Sequence, residues 1–160
     1  MATITPTLTL TSNSATGTTT PLGPLSFALN LSTTDNIFVD NVETQVFDVD
    51  TGANVEILNG SDLETAFTPG TNGCWIYMRN ATASGTDTIC VGIVNEGTAA
   101  PAVDNSADDL TRAHADSHRT FALLPGEFAF FPFDYCGDIY AQGTANNQTL
   151  EYWRFDRHTS

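Results

Sequence analysis

The sequence predicts an all-β fold: an antiparallel two-sheet β-sandwich of jelly-roll type, preceded by an extended N-terminal arm. Three observations carry that prediction. Short runs of alternating apolar and polar residues recur along the chain, separated by Gly, Pro, Asn and Asp. Threonine is abundant, and Val, Ile and Phe fall within those runs, residue types that suit a pleated, half-buried surface. The stretch Thr120–Phe155 is aromatic and broken by sharp corners, as in Leu124-Pro125-Gly126-Glu127. There proline sets φ near −65° and glycine supplies the positive φ of a type II turn. Roughly eight or nine short strands without an internal repeat are best buried as two packed sheets. At 160 residues the chain suffices for one sandwich domain, residues 24–160, behind an arm of residues 1–23.

In the arm, Thr3, Thr5, Thr7 and Thr9 alternate with Ile4, Pro6, Leu8 and Leu10. Period two is strand periodicity, but Pro6 cannot donate to a central ladder. The segment suits either a tail or a strand that joins a neighbouring subunit's sheet edge. Leu25, Phe27, Leu29 and Leu31 then mark a half-buried strand. Ile37–Val42, Gln45–Val49 and Asn54–Leu58 follow as strands, and Asp62–Phe67 as a turn of helix capped by Ser61 or Asp62. Cys74–Asn80 and Thr88–Val94 read as a hairpin that sets Cys74 roughly opposite Cys90. Residues 96–117 form a long loop with a short turn of helix near Asp108–Ala113, the kind of loop that contacts partners. Four further strands centre on Phe121, Phe130, Ile139 and Tyr152.

The charge is lopsided. Nineteen acids face five arginines and no lysine, giving a formal net charge of −14. Nucleic acid needs a basic stripe, so it is excluded as a partner, and adsorption on anionic membranes is disfavoured. No secretory signal is visible, and no apolar run approaches a membrane span. Three cysteines without zinc-finger spacing read as reduced thiols of a protein made in a cytoplasm.

Candidate chemistry is thin. An extended His114-Ala115-Asp116-Ser117-His118 would place His114, Asp116 and His118 on one side, a weak first shell for a transition metal that Asp108, Asp109 or Glu127 could complete. A solvated polar loop is the simpler reading. Asp48–Glu56 carries acids at alternate positions, but an EF-hand's sixth and twelfth slots hold Ala53 and Asn59, so a hairpin turn is expected instead. No nucleophile with an orienting base can be assembled, and the chain is expected to be non-enzymatic and to use no cofactor.

Aromatics are the positive signal. Phe128, Phe130, Phe131 and Phe133 occupy both faces of one strand; Tyr152 and Arg154 oppose Trp153 and Phe155 on another. A strand apolar on both faces is covered on both sides or packs on another subunit. Interface residues are therefore expected among Ile4, Leu8, Leu10, Phe131, Phe133, Tyr152, Trp153, Arg154 and Phe155. A sugar-binding module, with Trp75, Tyr77 or Trp153 as platforms, is the competing expectation.

The order of these elements resembles a known group. Trp75-Ile76-Tyr77-Met78-Arg79-Asn80 leads into Ile89-Cys90-Val91-Gly92. Later come Leu124-Pro125-Gly126-Glu127-Phe128, Asp138-Ile139-Tyr140-Ala141 and Leu150-Glu151-Tyr152-Trp153-Arg154-Phe155. Over roughly residues 70–156 this looks like small β-sandwich virion proteins of tailed bacteriophages, both capsid decoration (cement) proteins and tail or fibre components. The resemblance implies a structural protein on the outer capsid surface, made in the host cytoplasm. Its implied partners are the major capsid protein and copies of itself, with a trimer expected. It implies no catalytic residue.

Overall fold

The computed structural model describes residues 2–4, 7–11, 26–30, 37–61, 73–83, 85–95, 100, 110–111, 118–133 and 137–157. The strands of the sandwich are β4 (Ile37–Val49), β5 (Val55–Leu58), β6 (Cys74–Asn80), β7 (Ile89–Asn95), β8 (Arg119–Leu123), β9 (Phe128–Phe133), β10 (Gly137–Gly143) and β11 (Gln148–Arg157). Ahead of them stand β1 (Ala2–Ile4), β2 (Thr7–Thr11) and β3 (Ser26–Asn30). One sheet has the order β1-β4-β11-β6-β9 and the other β5-β10-β7-β8, with every pairing antiparallel.

From β4 onward this is jelly-roll topology. The chain steps from one sheet to the other at almost every connection, and its last strand, β11, lies beside its first, β4. Among the described strands from β4 onward, only β7 and β8 are neighbours in both sequence and sheet. Two interlocked Greek keys have this signature. β1 extends the first sheet at its β4 edge, while β2 and β3 pair only with each other. That pairing joins residues on both sides of the expected boundary at 23/24.

The core lies between the sheets. Val49, Ile76, Met78, Leu150 and Tyr152 from one sheet meet Ile57, Ile89, Val91, Leu123 and Ile139 from the other. Each buried aliphatic side chain is worth roughly 1.5–3 kcal/mol relative to exposure. The Leu124–Glu127 corner forms as expected: Gly126 has φ 84° and the Glu127 amide donates to the Leu124 carbonyl at 2.9 Å.

Three sequence expectations need correction. Ile37–Val42 and Gln45–Val49 are one strand, because β11 pairs with it residue for residue from Asn41 to Val49 and, past a bulge at Asp40, again at Val39. Cys74 and Cys90 do not face each other across a hairpin. β6 pairs with β9 and β11, β7 with β8 and β10, so the connection between them changes sheet. The Asp50–Ala53 turn is likewise a corner between sheets, since β5 pairs with β10 alone. Asp50 is used there: its carboxylate accepts from the Asn147 amide, while Thr51 donates to the Asn146 side chain. The helical turn expected at Asp62–Phe67 lies outside the described residues.

Candidate functional site

Antiparallel register puts directly opposed residues on the same face of a sheet. Across the first sheet, three rows form on the side away from the core. Phe130, Tyr77, Trp153 and Thr44 make one; Pro132, Trp75, Phe155 and Val42 the next; Phe128, Arg79, Glu151 and Val46 the third. The side chains at alternate positions of these strands, including Met78, Phe133, Leu150 and Tyr152, fill the core. Strands β6, β9 and β11 thus carry large apolar residues on both faces, and only one face is buried by the sandwich.

The rings of the outer face touch in a chain. Trp75 stacks on Phe130 at 5.2 Å and Tyr77 on Phe128 at 6.0 Å. Phe130 meets Phe155 edge-on at 6.5 Å, and Phe155 stacks on Trp153 at 6.2 Å. Such pairs contribute about 0.5–1.5 kcal/mol each beyond area burial. The guanidinium of Arg157 lies 4.9 Å from the Trp75 ring centroid. Because β6 sits between β9 and β11, Trp75 is held by Phe130 on one side and Arg157 on the other.

This face remains open to water. Phe128 is 56% exposed, Trp153 40%, Val42 42% and Val46 63%. It is also nearly neutral: among the described residues Arg79 and Arg157 stand against Asp48 and Glu151, so the −14 lies elsewhere. Arg79 and Glu151 pair across the third row at 3.6 Å. A contiguous, aromatic, water-exposed surface of this kind marks a place where a protein excludes water against something else.

The expected interface residues divide. Trp153 and Phe155 belong to the open face. Phe133 and Tyr152 do not: both are buried, Tyr152 against Phe47, because their positions in the alternation point inward. Phe131 is half-buried on the core side, edge-on to Phe121 and Phe133. Arg154 is also an inward residue. Its guanidinium meets Asp156 at 2.9 Å and Glu43 at 3.0 Å. Burial opposes its charge, but Asp156 and then Glu43 outweigh that and raise its pKa above the ordinary arginine value. Ile4 lies in β1 and Leu8 and Leu10 in β2, where Leu8 pairs with Leu29 and Leu10 with Phe27 along the backbone. Trp75, Tyr77, Phe128 and Phe130 complete the open face and are absent from the expected interface. Period-two alternation would group Phe128 with Phe130, but it cannot say which set points outward when both are apolar.

The metal candidates receive no centre. His114 and Asp116 lie outside the described residues, and His118 is exposed. Glu127 is occupied by its own turn, accepting from the Leu124 amide at 2.8 Å. Among the described residues no three metal-ligating side chains converge.

No protein family and no curated protein matches the chain. Among solved structures, one described as Bacillus endospore appendages, a novel family of disulfide-linked pili, is similar at 13% identity and a TM-score of 0.43. The match covers 82% of this chain and 96% of that one. A likeness this distant bears on neither function nor partners.

Proposed function

We propose that this chain is a non-enzymatic structural protein of a bacteriophage virion, a capsid decoration protein that stabilises the head by bridging capsid subunits. The reading rests on one observation: a stacked aromatic face stands open on one sheet of the sandwich. Burying it against protein would recover free energy at about 25 cal/mol per Å² of apolar surface. The virion setting comes from the sequence resemblance, and the strong negative charge suits a protein that works outside the shell, away from packaged nucleic acid. Its partners are the major capsid protein and copies of itself, with the N-terminal arm and the 96–117 loop among the contacts.

The test is to mix purified full-length protein with undecorated heads, image the particles and count copies. Ordered density at symmetric positions and greater heat resistance are expected. Deleting residues 2–22 should lower occupancy. No binding to heads or tails would remove the virion reading.

A sugar-binding module is the second reading, because Trp75, Tyr77 and Trp153 share the open face. Sugar platforms need free ring faces, however. Trp75 is held on both sides, and Tyr77 and Trp153 each have one side taken by a phenylalanine. Specific glycan binding lost on Trp153→Ala would reverse this preference.

A further inference from the structure

We propose that the aromatic face is a homotypic contact, on which a second copy of this chain packs the same face about a two-fold axis. The inference rests on the assembly reading above and names the partner of one surface. Charge is the first argument. Two bodies of −14 repel at every approach except where acid is scarce, and among the described residues this face holds two arginines against two carboxylates. A cationic partner would be drawn to the rest of the surface instead. Self-complementarity is the second. Arg79 and Glu151 sit side by side with side chains 46% and 36% exposed, so a two-fold operation can bring one copy's carboxylate to the other's guanidinium.

Size sets the strength. Four strands at about 4.8 Å spacing, with about 3.4 Å per residue from Thr149 to Arg157, give a footprint of roughly 500 Å². That is below the roughly 800 Å² per partner of a standard stable interface. The pairing is therefore weak and reversible, and becomes firm only when repeated over an array. A two-fold contact closes at two copies, so it would join trimers rather than form them.

The experiment is sedimentation equilibrium of the full chain from about 1 to about 200 µM, a range that brackets weak association. A reversible monomer–dimer equilibrium is expected. It should strengthen between about 0.1 and about 1 M NaCl, as the Debye length falls from about 10 to about 3 Å and body–body repulsion is screened. Trp153→Asp should weaken pairing at least about tenfold. Val46→Asp, at a position 63% exposed and outside the ring chain, should do the same with unchanged circular dichroism and a melting temperature lowered by only a little, since the new carboxylate stands opposite Glu151. A monomer at every concentration and salt, a dimer that weakens with salt, or a dimer indifferent to both substitutions overturns the proposal. Heads still decorated by such a monomer would leave the virion reading standing; a dimer that ignores heads would do the reverse.

Discussion

The two outward faces of this sandwich are built on opposite plans. On the four-stranded sheet, β7 and β10 present Cys90, Gly92, Val94, Asp138, Tyr140 and Gln142, and the chain covers them itself. Leu110, with no exposed surface, packs with Cys90, Val94 and Tyr140 as a second small core. The Gly60 amide donates to the Asp138 carboxylate at 2.8 Å, and the Gln142 side chain donates to the Thr51 carbonyl at 3.1 Å. On the five-stranded sheet many outward residues are large rings, of which Phe128, Phe130 and Trp153 are exposed and Trp75, Tyr77 and Phe155 half-buried. Gly92, lacking a side chain, lets Leu110 lie against the sheet; a row of stacked rings leaves a broad apolar plate that a folded partner can cover. The difference teaches that the aromatic face is a property of the sequence chosen for it, since the same fold shows how a face is sealed.

The largest effect should come from uncovering the sealed face. Leu110→Ala removes the side chain that seals the sheet and should cost about 3 kcal/mol of stability in urea unfolding. If the cost is below about 1 kcal/mol, Leu110 does not form a true second core with Cys90, Val94 and Tyr140. Gly92→Ala comes next. An added Cβ would stand 2.5 Å from Leu110 Cδ2 and 2.9 Å from the His118 carbonyl oxygen. The leucine tip can rotate, but the backbone carbonyl cannot, so about 1–3 kcal/mol should be lost. On the open face Val46→Ala should change monomer stability by no more than about 1 kcal/mol, because the side chain is already 63% exposed. Equal losses on both faces would erase the contrast.

Much of the sealed interior was legible in the sequence. Period-two alternation located most of the strands, and Pro125-Gly126 gave its turn directly. What the pattern could not supply was partnership. Cys74 and Cys90 are equidistant from Thr82, which makes a hairpin centred there the local expectation. The connection instead crosses between sheets, and Cys74 pairs with Phe133 and Asp156, Cys90 with Ala122 and Gln142. The open face suffered from a different ambiguity. In Phe128–Phe133 and Leu150–Phe155 both alternating sets are apolar, so hydrophobicity does not orient the strand. Tyr152 and Trp153 are equally plausible outward residues until the register with Met78 and Tyr77 is known. Gly92 carried a signal of its own, as a glycine inside an apolar strand often marks close approach of another segment.

The smallest effect at neutral pH, and the sharpest probe of the layer between the two faces, is Tyr152→Phe. The Tyr152 hydroxyl is buried without a hydrogen-bond partner, and its pKa is pushed well above 10.0 by burial, with Arg154 opposing. Removing an unsatisfied hydroxyl should leave stability at pH 7 unchanged within about 1 kcal/mol, or slightly improve it. The alkaline limb should differ more. Below the ordinary tyrosine value of 10.0 the phenol is protonated in both folded and unfolded chains, so it contributes no slope. Above 10.0 the unfolded chain ionises while the folded one resists, and stability falls by up to about 1.4 kcal/mol per pH unit. Tyr140, also raised by burial and by its bond to Glu56, adds to the same loss and would persist in the variant. Urea midpoints between about pH 8 and about pH 11 should therefore decline less steeply in Tyr152→Phe than in the parent. Superimposable curves would mean that the hydroxyl reaches water, and that the layer joining the sealed face to the open one is looser than its packing implies.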